Sequence, residues 1–411
     1  MAETVAERKS AKIWLREIQD RATKEAFEAK ARGELVGWSA SNFPQEIPTA
    51  MGLHVCYPES MGAGVAAKGG GDRMCAYSEG KGYSNDLCSY SRINLAFADL
   101  KECQEMSIPM PDFLLCCTNI CNCLMKWYEN LSEMLNIPML LIDIPQMTQK
   151  ECEPERIKYI RDQFDNCIHQ LEELTGKKMD YQKLEEVMKR SVEGSKYWYK
   201  ANTYMQYVPS PFSGFDIFNN MAVPTVARGD EECPAVFRQL VEEYEENARN
   251  HTTTFKGEEK YRVMFEGIAT FGNLSAVYKG LKNRGINMTA TPYGTAFTFI
   301  YSNLDELAAA YNMVPTCNTF ERELEVRLEA CRKNRVDGAI IHMNRSCKRW
   351  SGFAYELERR LRSELNIPVM FFDGDQSDPR VFNQAQFDTR LDALVEIMEA
   401  NKQKKEAEAD A

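Results

Sequence analysis

Short runs of apolar residues, each ending in small or turn residues, begin after Gly33 and define the predicted strands of this chain. Each run is short enough to be a strand buried on both faces. The predicted strands are Val36–Ser41, Val55–Glu59, Phe113–Cys117, Met139–Ile144, Val263–Glu266, Ile286–Ala290, Ala339–Met343 and Val369–Phe372. Because helical stretches such as Leu124–Leu135 separate the runs, the pattern predicts an α/β fold with two Rossmann-like parallel-sheet halves.

Helical periodicity dominates two further stretches of the chain. Residues 3–32 carry apolar positions at helical spacing among Ala, Glu, Lys and Arg, which predicts an amphipathic helix that packs on the first sheet or on a partner. Residues 151–254 are helical and charged, which favours a helical connecting segment between the halves. The expected organisation is an N-terminal helix at 1–32, an α/β domain at 33–150, a helical segment at 151–255 and a second α/β domain at 256–411.

A short repeated sequence indicates that the two halves are related. Leu135–Asp143 reads LNIPMLLID and Leu365–Asp373 reads LNIPVMFFD. Each copy follows a helix, and each helix follows a strand that leads into a cysteine, Cys121 or Cys347. Asn-Ile-Pro is also a common way to enter a strand, but that alternative leaves the matched cysteines unexplained. In doubly wound sheets such turns lie where ligands bind, so two equivalent turns are expected to face one cleft.

Charge and hydropathy exclude several classes of partner. The chain has 411 residues, 44% hydrophobic and 27% charged, and its net charge of −11 provides no basic field for nucleic acid or anionic lipid. No apolar run approaches the roughly 18–20 residues of a membrane span, and the N-terminal sequence lacks the apolar core of a signal peptide. We therefore expect a cytoplasmic protein with no nucleic-acid or membrane partner.

Cysteine is the first indication of chemistry. Fourteen cysteines among 411 residues are too few for a disulfide scaffold, which needs roughly 8–10%. In a reducing cytosol such thiols are either buried small hydrophobes or metal ligands. The four histidines are widely separated, so a metal in this chain is expected to be held by sulfur.

Three cysteines stand at predicted turns. Cys121 follows a strand and precedes a helix, Cys347 ends the equivalent strand of the second half, and Cys88 lies in a polar turn before a helix. Three thiolates without a fourth protein ligand would leave one iron of a cubane cluster open, as a Lewis-acid catalyst requires. The alternative is that these cysteines are simply buried.

The remaining cysteines give no comparable signal. The dense run of Cys116, Cys117, Cys121 and Cys123 matches neither a zinc ribbon nor a bacterial ferredoxin spacing. Side chains alternate along a strand, so Cys116 and Cys117 are not expected to face the same cleft. The cysteines assigned to the core are Cys56, Cys75, Cys103, Cys152, Cys167, Cys233, Cys317 and Cys331.

Nucleotide binding has no sequence support. Gly69–Gly71 is the one run of three glycines, and neither a Gly-x-x-Gly nor a Gly-Lys-Ser pattern follows it. It is interpreted as a flexible turn, and no ATP site is expected.

Several ordered motifs resemble one known family. The motifs are VGWSAS at 36–41, VCYPE at 55–59, CCTNICN at 116–122, KWYEN at 126–130, HMNRSCK at 342–348 and FDGDQSDPR at 372–380. Together they resemble the α subunit of the (R)-2-hydroxyacyl-CoA dehydratases, most of all those acting on lactoyl-CoA and 2-hydroxyisocaproyl-CoA. The likeness runs from about residue 25 to residue 400.

The resemblance implies a set of site residues. Cys88, Cys121 and Cys347 match the three protein ligands of a [4Fe–4S] cluster whose fourth position holds water or hydroxide until substrate displaces it. Ser41 and Glu59 match the pair beside that open iron, with Glu59 as proton acceptor and Ser41 as hydrogen-bond partner of the oxygen on iron. From the residues alone, an alternative interpretation is that Ser41 is a helix N-cap and that Glu59 lies at a solvated strand end. Asp373, Asp375 and Arg380 receive no role.

The resemblance also implies a reaction and partners. Water leaves a 2-hydroxyacyl-CoA after one-electron reduction of the thioester to a ketyl radical, because the β-proton is otherwise not acidic enough to remove. A homologous β subunit would complete the acyl-CoA pocket in a heterodimer or a dimer of heterodimers, and an ATP-dependent iron–sulfur activator would supply the electron. The rival interpretations are a benzoyl-CoA-reductase-type subunit and a non-catalytic electron-transfer subunit.

Overall fold

The computed structural model describes residues 9–409. Its eight strands in this range are β1 (Val36–Ser39), β2 (His54–Cys56), β3 (Phe113–Cys117), β4 (Met139–Ile142), β5 (Tyr261–Glu266), β6 (Ile286–Ala290), β7 (Gly338–Asn344) and β8 (Val369–Gly374). The α-helices of the first half and the connecting region are α1 (Ala11–Ala31), α2 (Glu46–Ala50), α3 (Pro58–Ala67), α4 (Gly71–Gly80), α5 (Ser89–Leu100), α6 (Asn122–Leu135), α7 (Pro154–Thr175), α8 (Tyr181–Thr203), α9 (Asp216–Asn220), α10 (Ala222–Val226) and α11 (Cys233–Asn250). Those that follow are α12 (Leu274–Asn283), α13 (Tyr293–Ala296), α14 (Leu304–Asn312), α15 (Phe320–Lys333), α16 (Lys348–Ser351), α17 (Ala354–Leu365) and α18 (Gln384–Ala409), and short 3₁₀ turns lie at Tyr204–Gln206, Phe271–Asn273 and Pro379–Val381.

The two sheets have the same strand order. The first runs β2-β1-β3-β4 and the second β6-β5-β7-β8, and every neighbouring pair is parallel. In each half the second strand lies at one edge and the fourth at the other, so the order reverses between the first and third strands. Ligands of doubly wound sheets bind at such a reversal, outside the carboxyl ends of the strands. The α/β class and the two parallel sheets predicted from the apolar runs are confirmed.

The echoed sequences occupy equivalent places. Helix α6 ends at Leu135 and helix α17 at Leu365, and the asparagine after each adopts a left-handed conformation, with φ of 52° at Asn136 and 51° at Asn366. Asparagine tolerates this conformation better than other residues with a Cβ, so it ends the helix and turns the chain into the next strand. The repeat is therefore present in the structure as well as in the sequence: a helix that ends at an asparagine and leads into a strand.

Three predicted strands in the first half are too long: β4 ends at Ile142 rather than Ile144, and the other two, β1 and β2, involve candidate site residues. Strand β1 ends at Ser39, so Ser41 lies in the turn beyond it. Strand β2 ends at Cys56, and Glu59 lies in the first turn of α3 rather than at a strand end. Pro58 explains why β2 ends early, because proline lacks the N–H that a central strand needs and its fixed φ favours the first position of a helix.

Helix α1 connects the two halves rather than serving the first sheet alone. Its Leu15 and Ile18 pack in the hydrophobic cluster of the second half, whereas Ala26 and Ala29 pack in that of the first. The predicted start at residue 3 lies outside the described residues. In the range that the structure describes, none of the helices combines the length and apolarity that a membrane crossing requires.

Candidate active site

A cavity of about 390 Å³ lies where the carboxyl ends of the two sheets meet. The first half lines it through the turn after β1, the start of α3 and the starts of α5 and α6. The second half lines it through the loops after β5 and β8 and through α13 and α16, and α9 and α10 complete it. The structure brings all five candidate residues from the sequence to this cavity: Ser41, Glu59, Cys88, Cys121 and Cys347.

The three candidate ligands share one local position. Cys88, Cys121 and Cys347 are the N-cap residues of α5, α6 and α16, and each is half-buried. The Cys121 thiol accepts a hydrogen bond from the backbone N–H of Leu124, at 3.4 Å. Unpaired N–H groups at a helix start stabilise negative charge, so these turns suit thiolate ligands.

Burial keeps the isolated thiols neutral. It raises the pKa of Cys121 to about 12, although the Leu124 amide opposes the shift. It raises the pKa of Cys347 to about 11, against the backbone amides of Trp350 and Arg349. Thiols with raised pKa are poor nucleophiles, so covalent cysteine catalysis is disfavoured. A bound metal reverses this preference because its charge deprotonates coordinating thiols.

Cys123 joins the same cavity, although sequence reasoning assigned it no role. It lies in the first turn of α6 and its thiol pairs with that of Cys88. The hydrogen bond between them lowers the pKa of Cys123 to about 7 and raises that of Cys88. The pairing of residues 35 positions apart was invisible to spacing arguments.

Ser41 and Glu59 form a directed pair. The backbone N–H and the hydroxyl of Ser41 both donate to Oε1 of Glu59, each at 3.1 Å. The other oxygen, Oε2, is buried and accepts no well-aligned hydrogen bond within residues 9–409, although the nearby Tyr128 hydroxyl acts to lower the pKa of the carboxyl. Burial raises the pKa of Glu59, and the two bonds from Ser41 offset only part of that effect. When the carboxyl is neutral its proton belongs on Oε2, since Oε1 already accepts two bonds.

Both plain interpretations of this pair fail in the structure. The N-cap of α2 is Gln45, so Ser41 does not cap that helix. Glu59 is half-buried and hydrogen-bonded rather than a solvated strand end. The hydroxyl proton of Ser41 is directed to Glu59, which leaves only its lone pairs for a ligand.

Aromatic side chains contribute much of the cavity lining, including Tyr90 and Trp127 of the first half. Tyr293 stacks on Trp350 with ring centroids 5.9 Å apart, and Phe218 meets Tyr293 edge to face at 5.8 Å. This aromatic wall comprises Phe218, Phe271, Tyr293, Phe297 and Trp350. Four of its residues come from the second half and Phe218 from α9. The sequence did not identify them individually, because isolated aromatic residues are ordinary core residues.

The loop after β8 closes the cavity from the second half. Gln376 lines the cavity and its amide Nε2 donates to Sγ of Cys88 at 3.2 Å. Asp378 pairs with the buried Arg92 of α5 at 2.9 Å and with Arg380. Asp375 accepts from the backbone N–H groups of Ser377 and Asp378, whereas Asp373 is exposed. The motif that resembled the family thus includes an interdomain contact.

The other cysteines lie away from the cavity. Cys116 and Cys117 are both fully buried in β3, one on each face. Seven of the eight cysteines assigned to the core are buried, namely Cys56, Cys75, Cys103, Cys167, Cys233, Cys317 and Cys331. Cys152 is only half-buried, and its thiol donates to Asn312.

The donor set fits a cluster better than a single ion. Within residues 9–409, no group of three His, Cys, Asp or Glu side chains is arranged to hold one metal ion. An iron–sulfur cubane imposes a different requirement, because each thiolate binds a separate iron atom and the sulfurs stand further apart. The three N-cap thiols come from three different helix starts around one cavity, so each could bind a separate iron atom.

Comparison with known proteins gives a consistent family. The family model described as 2-hydroxyglutaryl-CoA dehydratase, D-component, matches residues 40–398. The chain is 55% identical to the alpha subunit of (R)-phenyllactyl-CoA dehydratase from Clostridium sporogenes, over 97% of this chain and 98% of that one. It is 43% identical to the alpha subunit of (R)-2-hydroxyisocaproyl-CoA dehydratase from Clostridioides difficile, with the same coverage, and 40% identical to subunit alpha of lactoyl-CoA dehydratase from Anaerotignum propionicum, over 95% and 97%.

A more distant match bears on the rival reductase. One subunit of benzoyl-CoA reductase from Thauera aromatica is 24% identical over 82% of both chains. This identity is well below the 40–55% shared with the three dehydratase subunits. The comparisons therefore favour the dehydratase branch over the reductase branch.

Proposed function

The chain belongs to the family of 2-hydroxyglutaryl-CoA dehydratase D-components, and from this premise we propose that it is the cluster-bearing α subunit of an (R)-2-hydroxyacyl-CoA dehydratase. Its reaction is the removal of water from an (R)-2-hydroxyacyl-CoA to give the (E)-2-enoyl-CoA. The observation that carries the proposal is the meeting of three N-cap cysteines with the Ser41–Glu59 pair at one cavity. Relatives of matching length that are named as dehydratase α subunits support it.

Cys88, Cys121 and Cys347 would hold a [4Fe–4S] cluster. When bound, the cluster supplies a Lewis-acidic iron for the thioester oxygen and a site through which one electron reaches the substrate. The protein contributes three thiols at helix starts, in a cavity that is otherwise mainly apolar. An apolar surrounding limits water near the substrate and strengthens electrostatic interactions there.

Glu59 would move protons at its Oε2 atom. Because burial raises its pKa, the carboxyl is protonated at higher pH than an ordinary glutamate, and the proton is directed away from the Ser41 bonds. It can therefore protonate the departing α-hydroxyl, which leaves as water. The two hydrogen bonds from Ser41 then stabilise the carboxylate. Glu59 thus begins the reaction as a protonated carboxyl that donates a proton. The sequence-based interpretation instead made Glu59 a proton acceptor.

The aromatic wall would select a bulky acyl group. The five rings of this wall line the cavity, and burying an aromatic acyl chain against them is favourable through area and ring–ring contact. The phenyllactyl-CoA relative shares 55% identity with this chain, against 43% and 40% for those acting on smaller acyl groups. We therefore assign an aromatic 2-hydroxyacyl-CoA such as phenyllactyl-CoA as the preferred substrate.

The proposed enzyme needs two partner proteins. A homologous β subunit would complete the acyl-CoA pocket, in a heterodimer or a dimer of heterodimers, since the relatives are named as α subunits. A separate ATP-hydrolysing iron–sulfur activator would deliver the electron. The chain carries no phosphate-binding glycine motif of its own, which agrees with this division.

The deciding experiment is an anaerobic assay of the chain co-purified with its neighbouring subunit. Phenyllactyl-CoA, 2-hydroxyisocaproyl-CoA and lactoyl-CoA are each incubated with and without activator, ATP and reductant, and enoyl-CoA is measured by mass. We expect enoyl-CoA only with activator, at far less than one electron per product, and fastest from phenyllactyl-CoA. Two electrons consumed per product would point to the reductase, and no turnover despite a bound cluster would point to electron transfer.

A further inference from the structure

Three hydrogen bonds form a relay between the two halves at Cys88. The backbone N–H of Ser89 donates to Oγ of Ser346 at 3.2 Å, and Oγ of Ser346 donates to Oε1 of Gln376 at 3.3 Å. Nε2 of Gln376 donates to Sγ of Cys88 at 3.2 Å. Since Ser89 follows Cys88 directly, the relay closes into a ring that contains residues from both halves. Ser89, Ser346 and Gln376 are all buried.

The relay fixes which end of the Gln376 amide faces the sulfur. The Ser346 hydroxyl accepts from the Ser89 amide, so its own proton is free to be donated to an amide oxygen. The NH₂ group is then left to point at Cys88. The opposite orientation would set a carbonyl oxygen against the sulfur, which is repulsive once that sulfur is a thiolate. The contacts with Ser346 and with Cys88 therefore favour the same orientation of the Gln376 amide.

The loop that carries Gln376 is anchored on the same helix as Cys88. Arg92 lies one turn after Cys88 in α5 and pairs with Asp378 at 2.9 Å. Its Nε also donates to the carbonyl of Leu87, immediately before Cys88. The hydroxyl of Ser377 donates to the Gly62 carbonyl, also in the first half. The amide is thus held at a fixed distance from the thiol.

We propose that Gln376 is a positioning residue that donates a hydrogen bond to the Cys88 ligand and thereby raises the reduction potential of the cluster. The inference rests on the proposed function, because it requires the cluster. A hydrogen bond to a thiolate ligand stabilises negative charge on sulfur, and the reduced cluster carries one electron more than the oxidised one. The bond is therefore stronger in the reduced state, and its loss makes the potential more negative.

The test compares three variants with the wild-type complex, reconstituted with iron and sulfide without oxygen. Gln376→Leu removes the donor at similar volume, and Gln403→Leu is the control. Ser346→Ala keeps the donor but removes the hydroxyl that orients the amide and accepts from the Ser89 N–H. Gln403 is exposed on α18, outside the cavity lining, and its amide donates to Glu399. The readouts are iron per chain and the reduction potential from an EPR-monitored titration. A merely structural role for Gln376 would not move the potential.

We expect Gln376→Leu to keep its iron and to shift the potential to a more negative value. Ser346→Ala should shift it less in the same direction, and Gln403→Leu not at all. An unchanged potential in Gln376→Leu at full iron content overturns the proposal. If Gln376→Leu does not retain iron, Ser346→Ala decides: a negative shift supports the relay and no shift overturns it. A wild-type complex without iron overturns the cluster assignment itself, and this inference with it.

Discussion

The two halves share one scaffold but contribute different chemistry to the cavity. Both have a four-stranded parallel sheet of the same order, and both place a cysteine at the start of a helix after their third strand. The first half adds Cys88, Ser41 and Glu59, whereas the second adds Gln376 and most of the aromatic wall. The shared scaffold therefore places the cavity where the two sheets meet, and the loops of each half supply different side chains to it, the Ser41–Glu59 pair from the first half and most of the aromatic wall from the second.

The cysteine turns themselves differ between the halves. Cys121 opens the 14-residue helix α6, and its thiol accepts the Leu124 N–H. Cys347 opens the four-residue helix α16, which ends before α17 begins. The extra turn in the second half brings Trp350 and Arg349 to the cavity directly after the cysteine. The same topological position thus carries a candidate ligand in both halves, and the helix residues that follow it also line the cavity in both, Leu124 and Trp127 in the first and Arg349 and Trp350 in the second.

Removal of a cysteine tests whether both halves supply ligands. We expect Cys121→Ser and Cys347→Ser each to lose bound iron and essentially all dehydratase activity, because a cluster with two remaining thiolates is poorly held. Cys123→Ala is the matched control in the same helical turn as Cys121, and should retain four irons per chain. Iron loss in Cys123→Ala with iron retention in Cys121→Ser would exchange the roles of these two residues.

Glu59→Gln tests the assignment of proton transfer to the first half. We expect full iron content with activity lower by about 10²–10⁴-fold, the usual contribution of a general acid. Wild-type activity should fall as pH rises through the raised pKa of Glu59, because the carboxyl can then no longer donate, and the residual activity of Glu59→Gln should lack this limb. A variant with wild-type turnover would remove Glu59 from the reaction.

Glu59→Gln should also change how the free energy of unfolding depends on pH. Folding raises the pKa of Glu59, so the stability contributed by its bound proton is complete below the ordinary glutamate pKa. That contribution is lost as pH rises through the raised value. The free energy of unfolding of Glu59→Gln, measured by denaturant titration across this range, should therefore depend less on pH than that of the wild type.

Arg92→Met tests the contact that holds the halves together at Cys88. Arg92 is buried, and its loss leaves the Asp375 and Asp378 carboxylates without their buried cation. We expect unfolding to become easier by about 3–5 kcal/mol, as for other broken buried ion pairs, and iron to be released faster to a chelator. Arg262→Met is the control, because Arg262 is also buried but bonds Glu259 and Asn334 of the second half and carbonyls of the connecting segment rather than the first half. Equal chelator rates in both variants would contradict a special role for the interdomain contact.

Phe297→Ala tests whether the second half selects the acyl group. We expect kcat/KM for phenyllactyl-CoA to fall about 10–100-fold, the range for lost hydrophobic contact, and that for lactoyl-CoA to change much less. Ile120→Ala changes an apolar residue on the first-half side of the cavity and should leave the ratio of the two substrates nearly constant. Equal effects of both substitutions on that ratio would assign selectivity to the whole cavity.

The sequence was informative where structure follows local pattern. The apolar runs predicted eight strands in two parallel sheets, and the Leu-Asn-Ile-Pro echo predicted equivalent helix ends, found at Asn136 and Asn366. Cys121 and Cys347 were singled out because the carboxyl ends of parallel strands share one edge, and Cys88 because it lies in a polar turn before a helix. The family resemblance added Ser41 and Glu59. The strands expected to end at Ser41 and Glu59 end two or three residues earlier, and for Glu59 the reason is that Pro58 starts a helix where the apolar pattern continued.

Sequence alone therefore determined the two sheets, the repeated unit and the candidate cysteines, because periodicity and turn position are encoded by neighbouring residues. Tertiary structure decided the direction of the Ser41–Glu59 hydrogen bonds, the neutral preference of the thiols and the pairing of Cys88 with Cys123. It also brought Gln376 to Cys88 across 288 positions of the chain. These features depend on burial and on contacts between residues far apart in sequence, and no local pattern records either quantity.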